Sequence, residues 1–434
     1  MTEIITTIGI RTAEDVTMAS VVGSGPEYTV VLEAVTTTTH NGDSLQDTNA
    51  AGNSFLITDG AGTDTLTVID STGTGSGPDH TSGTLQATTT SYYSTVSGWA
   101  SGMDYEADDL YPLGTGNAAT GHLMDDGAIE EDNFIVSSAS VGAITLTAPA
   151  DERHDGVPGT GARIEANSSA IRILQVNSGP TNNFAEVSWI ELDGNDYAIN
   201  NGLEQKRSRV TAPDFHHLLV YDGGQRWGGA GITQKAGIGG SLRCTRCMVW
   251  KWDYAVDHNS ENQYGISTAN ADSTHLGEIL NCTVWSITQE YALKNGYGIS
   301  TYDHANKVVK NNVIIDCNID LDLDSPSVTT SYDYNCTSDT TSSGSNSLAS
   351  KTAADNFVGI APVDLHLKSG ADCIDEGVDL GTTYEAVELD IDNRDVDAEG
   401  DTWDIGAHEF VVVAAFKAAW ARCANVLIGS KIGD

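Results

Sequence analysis

Three aspartates recur near the repeat spacing of this chain: Asp193, Asp222 and Asp253 follow short apolar strands at intervals of 29 and 31 residues. Two carboxylates about 5–9.5 Å apart are the machinery of glycoside hydrolysis. Neighbouring strands lie about 4.8 Å apart, so acids one or two coils apart in a stacked β structure meet that requirement. Trp227, Trp250, Trp252 and Tyr254 lie close in sequence and offer faces on which sugar rings stack. Lys206, Arg207, Arg243 and Lys251 could supply the base of a lyase. The competing reading is that the aspartates cap turns and the aromatics cover the fold. In a chain with 61 acidic residues, three at a repeat spacing discriminate little between the two.

Other clusters bear on metals. Asp395, Asp397, Glu399 and Asp401 alternate, with a glycine at the sixth position, as in the first half of a Ca²⁺ loop. Gly406 stands where the bidentate glutamate belongs, so a solvated acidic turn competes with a structural Ca²⁺ site; no other cofactor is expected. Asp320, Asp322 and Asp324 alternate with leucines and share one face of a strand, Leu321 and Leu323 pointing inward. Cys244-Thr-Arg-Cys247 has zinc-ligand spacing but lacks a second pair. Cys247 reads instead as a core position, because Cys282 occupies the equivalent place one repeat later. His216 and His217 are adjacent on a strand, one facing a groove and the other packing inward. No nucleophile elbow, phosphate loop or dinucleotide fingerprint occurs.

The elements that must position these residues are strands. TVVLEAV (29–35), FLITDG (55–60), TLTVID (65–70), AITLTA (143–148), IRILQV (171–176) and VSWIEL (187–192) are short β-branched runs between Gly, Asn, Asp, Ser and Thr clusters. Tyr264-Gly-Ile-Ser-Thr268 returns as Tyr297-Gly-Ile-Ser-Thr301, and Cys247-Met-Val-Trp250 as Cys282-Thr-Val-Trp285, 33 and 35 residues on. Repeats of this length signal a solenoid or a propeller. Few hairpin dipeptides and many Asn/Asp/Gly corners favour the solenoid. Asn281, Asn311 and Asn312 sit where coil corners need left-handed backbone or inward amide stacking. The prediction is all-β: a right-handed parallel β-helix over 88–410, a small β-rich attachment module over 1–87, and an apolar, basic tail at 411–434 that caps the solenoid or docks on a partner.

Composition narrows the partners. With 21 basic against 61 acidic residues the formal charge is −40, which repels nucleic-acid phosphates and anionic lipid alike. No apolar run approaches the ~20 residues of a bilayer span, and the start lacks the basic-then-apolar pattern of a signal peptide. The seven cysteines are sparse and odd in number, and read as reduced, mostly buried thiols.

Three segments carry a family resemblance. Tyr93-Ser-Thr-Val-Ser-Gly-Trp99, Glu152-Arg-His-Asp-Gly-Val-Pro-Gly-Thr-Gly-Ala-Arg-Ile164, and Asp404-Ile-Gly-Ala-His-Glu-Phe410 with Asp390-Ile-Asp-Asn-Arg394 upstream resemble β-helix proteins of tailed-phage and marine viral genomes, many of which end in a DIGAxE motif. Asn393 stands where the family pattern has glycine. The resemblance implies a non-catalytic virion-surface component, either capsid decoration or head fibre, or tail fibre. It would be made in the host cytoplasm, contact other virion proteins and a host-surface glycan, and assemble as a homo-oligomer, a trimer by fold analogy. The alternative is a polysaccharide depolymerase with a groove on the β-helix. A bacterial surface adhesin would need an export signal.

Overall fold

The structure is a computed structural model. It describes residues 3–8, 14–23, 27–32, 43–47, 54–59, 63, 65–70, 85–90, 93–102, 114–132, 134–136, 141–177, 183–206, 214–223, 229–234, 241–252, 262–268, 276–289, 295–301, 306–323, 329–342, 344–381, 388–396 and 402–411. Among these, the chain builds a parallel β-helix. Each coil visits a nine-stranded, an eight-stranded and a seven-stranded sheet in turn, and every neighbouring pair within the three sheets is parallel. No helix of the described residues is long and apolar enough to cross a membrane.

Each sheet sends one row of side chains into a shared core. The nine-stranded sheet contributes Leu146, Val187, Phe215, Cys244, Ile279 and Val309; the eight-stranded sheet Ile164, Leu192, Val220, Val249, Val284 and Ile314; the seven-stranded sheet Leu174, Leu203, Ile232, Ile266, Ile299 and Leu321. The Tyr-Gly-Ile-Ser repeat now has a physical meaning. Its tyrosine faces outward, its isoleucine faces inward, and its glycine lies where two sheets meet. A Cβ at Gly231, Gly265 or Gly298 would come within 2.4, 2.6 or 2.1 Å of Val249, Val284 or Ile314 on the facing sheet. Glycine there is a matter of space.

The corners follow the asparagine expectation. Trp189, His217, Arg246, Asn281, Asn311 and Tyr334 stack in one corner column, all with φ between 50° and 58°. Asp222, Lys251, Ser286 and Asp316 form a second column with φ from 47° to 61°. Left-handed backbone costs a non-glycine residue about 1–2 kcal/mol, which the stacking of each coil on the next must offset. One residue after the first column, the chain turns inward through Ile190, Leu218, Cys247, Cys282, Asn312 and Asn335. Asn312 and Asn335 stack as an amide ladder: Asn312 Nδ2 donates to Asn335 Oδ1 at 2.9 Å, and Asn335 Nδ2 to the Val309 carbonyl at 2.9 Å.

Two boundaries differ from the sequence reading. The first strand, Glu3–Ile8, belongs to the nine-stranded sheet, where it pairs with Gly114–Leu123. A closed antiparallel barrel of strands Glu14–Gly23, Glu27–Leu32, Thr65–Asp70, Ser54–Asp59, Ser44–Asp47 and Leu85–Thr90 is inserted after it. The barrel has its own core, with Phe55, Leu66 and Val68 fully buried. It is also fastened to the solenoid: Leu56 joins the solenoid core beside Ile8, and Thr7 Oγ1 donates to Asp43 Oδ1 at 2.5 Å. The short helix Val96–Gly102, which the strand-dominated sequence conceals, puts Val96 and Trp99 into that core. Glu131 accepts from its first amides, Val96 N and Ser97 N.

The second boundary is at the other end. The last solenoid strand is Cys336–Thr337, not residue 410. Beyond it, the helix Ala353–Asn356, the hairpin Phe357–Ile360/Val363–Leu367 and the segments through Phe410 double back as a strap over the outward face of the eight-stranded sheet. Strap residues Phe357, Leu365, Leu367, Cys373, Ile391 and Ile405 share one cluster with Leu219, Tyr221, Met248, Trp250, Val313 and Ile315. The tail from 412 lies outside the described residues.

Candidate functional site

The αL column is the seam on which the strap is seated. His217 Nε2 meets the Leu389 carbonyl at 2.9 Å. Asn311 exchanges two hydrogen bonds with Val378, its Nδ2 donating to the carbonyl at 2.8 Å and its Oδ1 accepting from the amide at 3.1 Å. Arg246, fully buried, donates to Glu409 Oε1 at 2.9 Å and to the Gly406 carbonyl at 3.2 Å. The Asp-Ile-Gly-Ala-His-Glu-Phe segment is therefore the strap's anchor. Gly406, at φ 119°, lies against Thr283 and Val313, and Ala407 N donates to Thr283 Oγ1. Upstream, Asp390 Oδ1 accepts from Asp392 N and Arg394 N, and Asn393 takes φ 62°. The left-handed turn that glycine would make is kept by asparagine.

Burial raises the pKa of Glu409 to about 7 against the nearby Arg246, with Asp404 adding to the rise. Burial likewise raises Asp404 to about 6. His366 is clamped by two carboxylates, Asp364 Oδ1 at 2.5 Å and Asp392 Oδ1 at 2.8 Å. Burial opposes its charge, but these two partners outweigh it and hold its pKa up at about 9. His408 beside it is pushed down to about 3 by burial and by the positive His366. His366, Asp392 and His408 are close enough to hold a metal ion, but the hydrogen bonds speak against it. His408 Nδ1 accepts from Leu367 N, so its Nε2 carries the proton, and both nitrogens of His366 face carboxylates as donors.

The sequence-nominated residues divide between this seam and the corners. Asp193 ends a strand, accepts from Asn195 N at 2.8 Å and faces Arg163 at 3.6 Å. Burial raises its pKa. Asp222 sits in a left-handed corner, paired with Lys251 at 3.3 Å. Both serve the turns they occupy. Trp250 is 1% exposed beneath the strap, its ring stacked on Tyr221 with centroids 4.6 Å apart. Trp252 is buried in the solenoid core against Gly223. Neither ring is presented to a sugar. Asp253, Trp227 and Tyr254 lie outside the described residues, as do Asp397, Glu399 and Asp401. Asp395 is exposed and bridges to Leu389. Asp320 is fully buried and caps the next turn, accepting from Ser338 N and Asp339 N. Glu191 does the same for the Glu152–Ile164 segment, accepting from the amides of Gly159, Thr160 and Gly161 and from Tyr221 Oη.

Two outward faces carry chemistry that spacing missed. On the nine-stranded sheet, Glu186, Asp214, Arg243 and Glu278 stand in register on successive strands. Arg243 donates to Asp214 at 2.9 Å and to Glu278 at 2.8 Å. His216 Nε2 lies 3.2 Å from Glu186. Burial opposes the Glu186 charge, but His216, Ser188 and Arg153 hold its pKa below the usual range, whereas burial and the Glu186 charge raise that of Asp214 despite Arg243. On the seven-stranded sheet, Tyr264 and Tyr297 stack at 5.4 Å. Beside them the Thr233 and Ser267 hydroxyls bond at 2.7 Å, and Ser300 donates to Asp322. The signal in sequence is the outward position in each repeat: one residue before the inward residue on the nine-stranded sheet, and two before or one after the inward isoleucine on the seven-stranded sheet.

These features define a parallel β-helix with a barrel inserted behind its first strand and a strap closed over one face. No protein-family model matches the chain, and no curated protein matches it.

Proposed function

We propose that the chain is a structural component of the surface of a tailed-phage particle, a stiff rod held by its barrel end and adhesive along its open faces. The observation that carries this reading is the junction of barrel and rod. The barrel is inserted between two segments that both pack on the first coils, and Leu56 and Asp43 fasten it there. Such a junction suits a mount that transmits force more than a tethered module. The −40 charge keeps many copies soluble and mutually repulsive until assembly. The partners in this reading are capsid or tail proteins and further copies of the chain, in a trimer by fold analogy, and the stacked tyrosines and neighbouring hydroxyls suit a host-surface glycan. Quantitative mass spectrometry of purified particles from the source tests it. Hundreds of copies per particle mean capsid decoration, a few tens or fewer mean a fibre, and none rejects the reading.

A second reading, glycan cleavage, is favoured by one observation. Glu186 and Asp214 are outward carboxylates on neighbouring strands with pKa values shifted in opposite directions, the pattern of a nucleophile and its acid partner. If the chain cleaves its host glycan, Glu186→Gln and Asp214→Asn should each lower the release of reducing ends by at least ~100-fold with unchanged melting. Activity that survives both changes ends this assignment.

A further inference from the structure

The corner column and the nine-stranded sheet bring together three thiols that sequence spacing did not group. Cys247 and Cys282 occupy the same inward turn position on successive coils, and Cys244 points into the core from the strand before Cys247. All three are fully buried, and their sulfurs lie within 4.8 Å of one another. The Cys244 and Cys282 sulfurs are 4.0 Å apart. An ion bound to three sulfurs in a plane, with bonds of about 2.3 Å, sets them about 4.0 Å apart. One edge of that triangle is already in place, and the others need to close by less than an ångström.

The surroundings select the ion. The walls are the aliphatic rows of the solenoid core, and the nearest polar atoms are backbone carbonyls. Cys247 Sγ lies 3.4 Å from the Thr245 carbonyl, and Cys282 Sγ 3.4 Å from that of Leu280. Hard cations want several charged oxygens, which are absent from the group, and structural zinc wants a fourth ligand. No fourth cysteine, histidine or carboxylate among the described residues joins the group. Soft, low-coordinate Cu(I) is satisfied by sulfur alone.

We propose that Cys244, Cys247 and Cys282 form a three-coordinate site for a single Cu(I) ion, which staples two adjacent coils from within. The exchange balances without a redox step. Cu⁺ enters as the monovalent ion and each of the three thiols gives its proton to solvent as it becomes a thiolate ligand, so the loaded triad carries a net charge of −2. Because the site is closed in the folded chain, the ion enters before the core closes.

The test is the full chain expressed with copper in the medium, purified without oxygen and analysed for bound metal. About one copper per chain is expected, with thiolate-to-copper charge-transfer absorption and preference over zinc supplied at equal concentration. Cys282→Ala and Cys247→Ala should each abolish both signals, while Cys317→Ala, which alters a thiol outside the group, should retain them. Circular dichroism checks that each variant is folded. Copper-free folded protein overturns the site, as does copper that persists in both alanine variants, which would place it on other thiols.

Discussion

Arg246→Ala should lower the stability of the folded chain by about 3–5 kcal/mol, the usual cost of stranding one partner of a buried ion pair. Arg246 is fully buried, and its guanidinium supplies both the counter-charge of Glu409 and a donor to the Gly406 carbonyl. The loss should depend on pH. Arg246 holds the Glu409 carboxyl down, against burial, at about 7, so its loss raises that pKa further: at pH 6 the carboxyl is mostly protonated with or without the arginine, while at pH 8 only the arginine lets it ionise at little cost. Denaturant titration at the two pH values should show the larger loss at pH 8. Limited proteolysis should find the strap cut before the solenoid. Lys251→Ala, which breaks a half-exposed pair with Asp222, should cost about 0.2–1 kcal/mol at either pH. Equal losses in the two variants would mean that the anchor does not depend on Arg246.

Alkaline pH should loosen the strap while leaving the coils stacked. His366 has its pKa raised to about 9, so its contribution is full below the unfolded value near 6.5 and is lost as pH rises through 9. The difference corresponds to about 3 kcal/mol at most. Above about pH 7 the cost of ionising Glu409 and Asp404 is already in place, and the thiols that burial keeps protonated add their own loss only towards pH 9, so between 7 and 8 the slope belongs to His366. On the acid side the sign reverses. His154, His217 and His408 are held neutral by burial, so their contribution falls as pH drops below 6.5. Asp392→Asn removes one clamp of His366, and should flatten the alkaline limb and leave the acid limb from His154 and His217. An unchanged alkaline slope in that variant would show that the His366 pair does not hold the strap.

The solenoid was legible because its rules are local. A residue facing inward repeats every coil, and the asparagines, the Tyr-Gly-Ile-Ser segments and the equivalence of Cys247 with Cys282 all follow from that period. The strap was not legible, because its partners are remote. Arg246 meets Glu409 across 163 residues, and nothing near either residue announces the other. Trp250 reads as a sugar platform for the same reason. An aromatic on an outward row is normally in solvent, and only the returning chain buries it. Asp193 and Asp222 share a spacing with catalytic carboxylates because each coil ends a strand at nearly the same interval: Asp193 closes its strand, and Asp222 stands one place further on, in the left-handed corner. Glu186 and Asp214 escaped notice because each is a lone acid on a short strand, and they meet only when the strands stack. The contact between Cys244 and Cys282 escaped because strand and corner sulfurs meet only in cross-section.

The insertion of the barrel behind Glu3–Ile8 imposes an order on assembly during synthesis. That strand leaves the ribosome before the barrel, yet its partner, Gly114–Leu123, follows more than a hundred residues later. In the interval only the barrel, whose strands all lie within residues 14–90, has its complete set of partners. The barrel therefore gathers itself before the first coil can close on Ile8, and each later coil grows on a finished edge. The strap emerges after the coils, onto a surface already built. A chain halted between residues 251 and 350 would display Leu219, Met248 and Trp250 uncovered, which marks incomplete copies by their own stickiness.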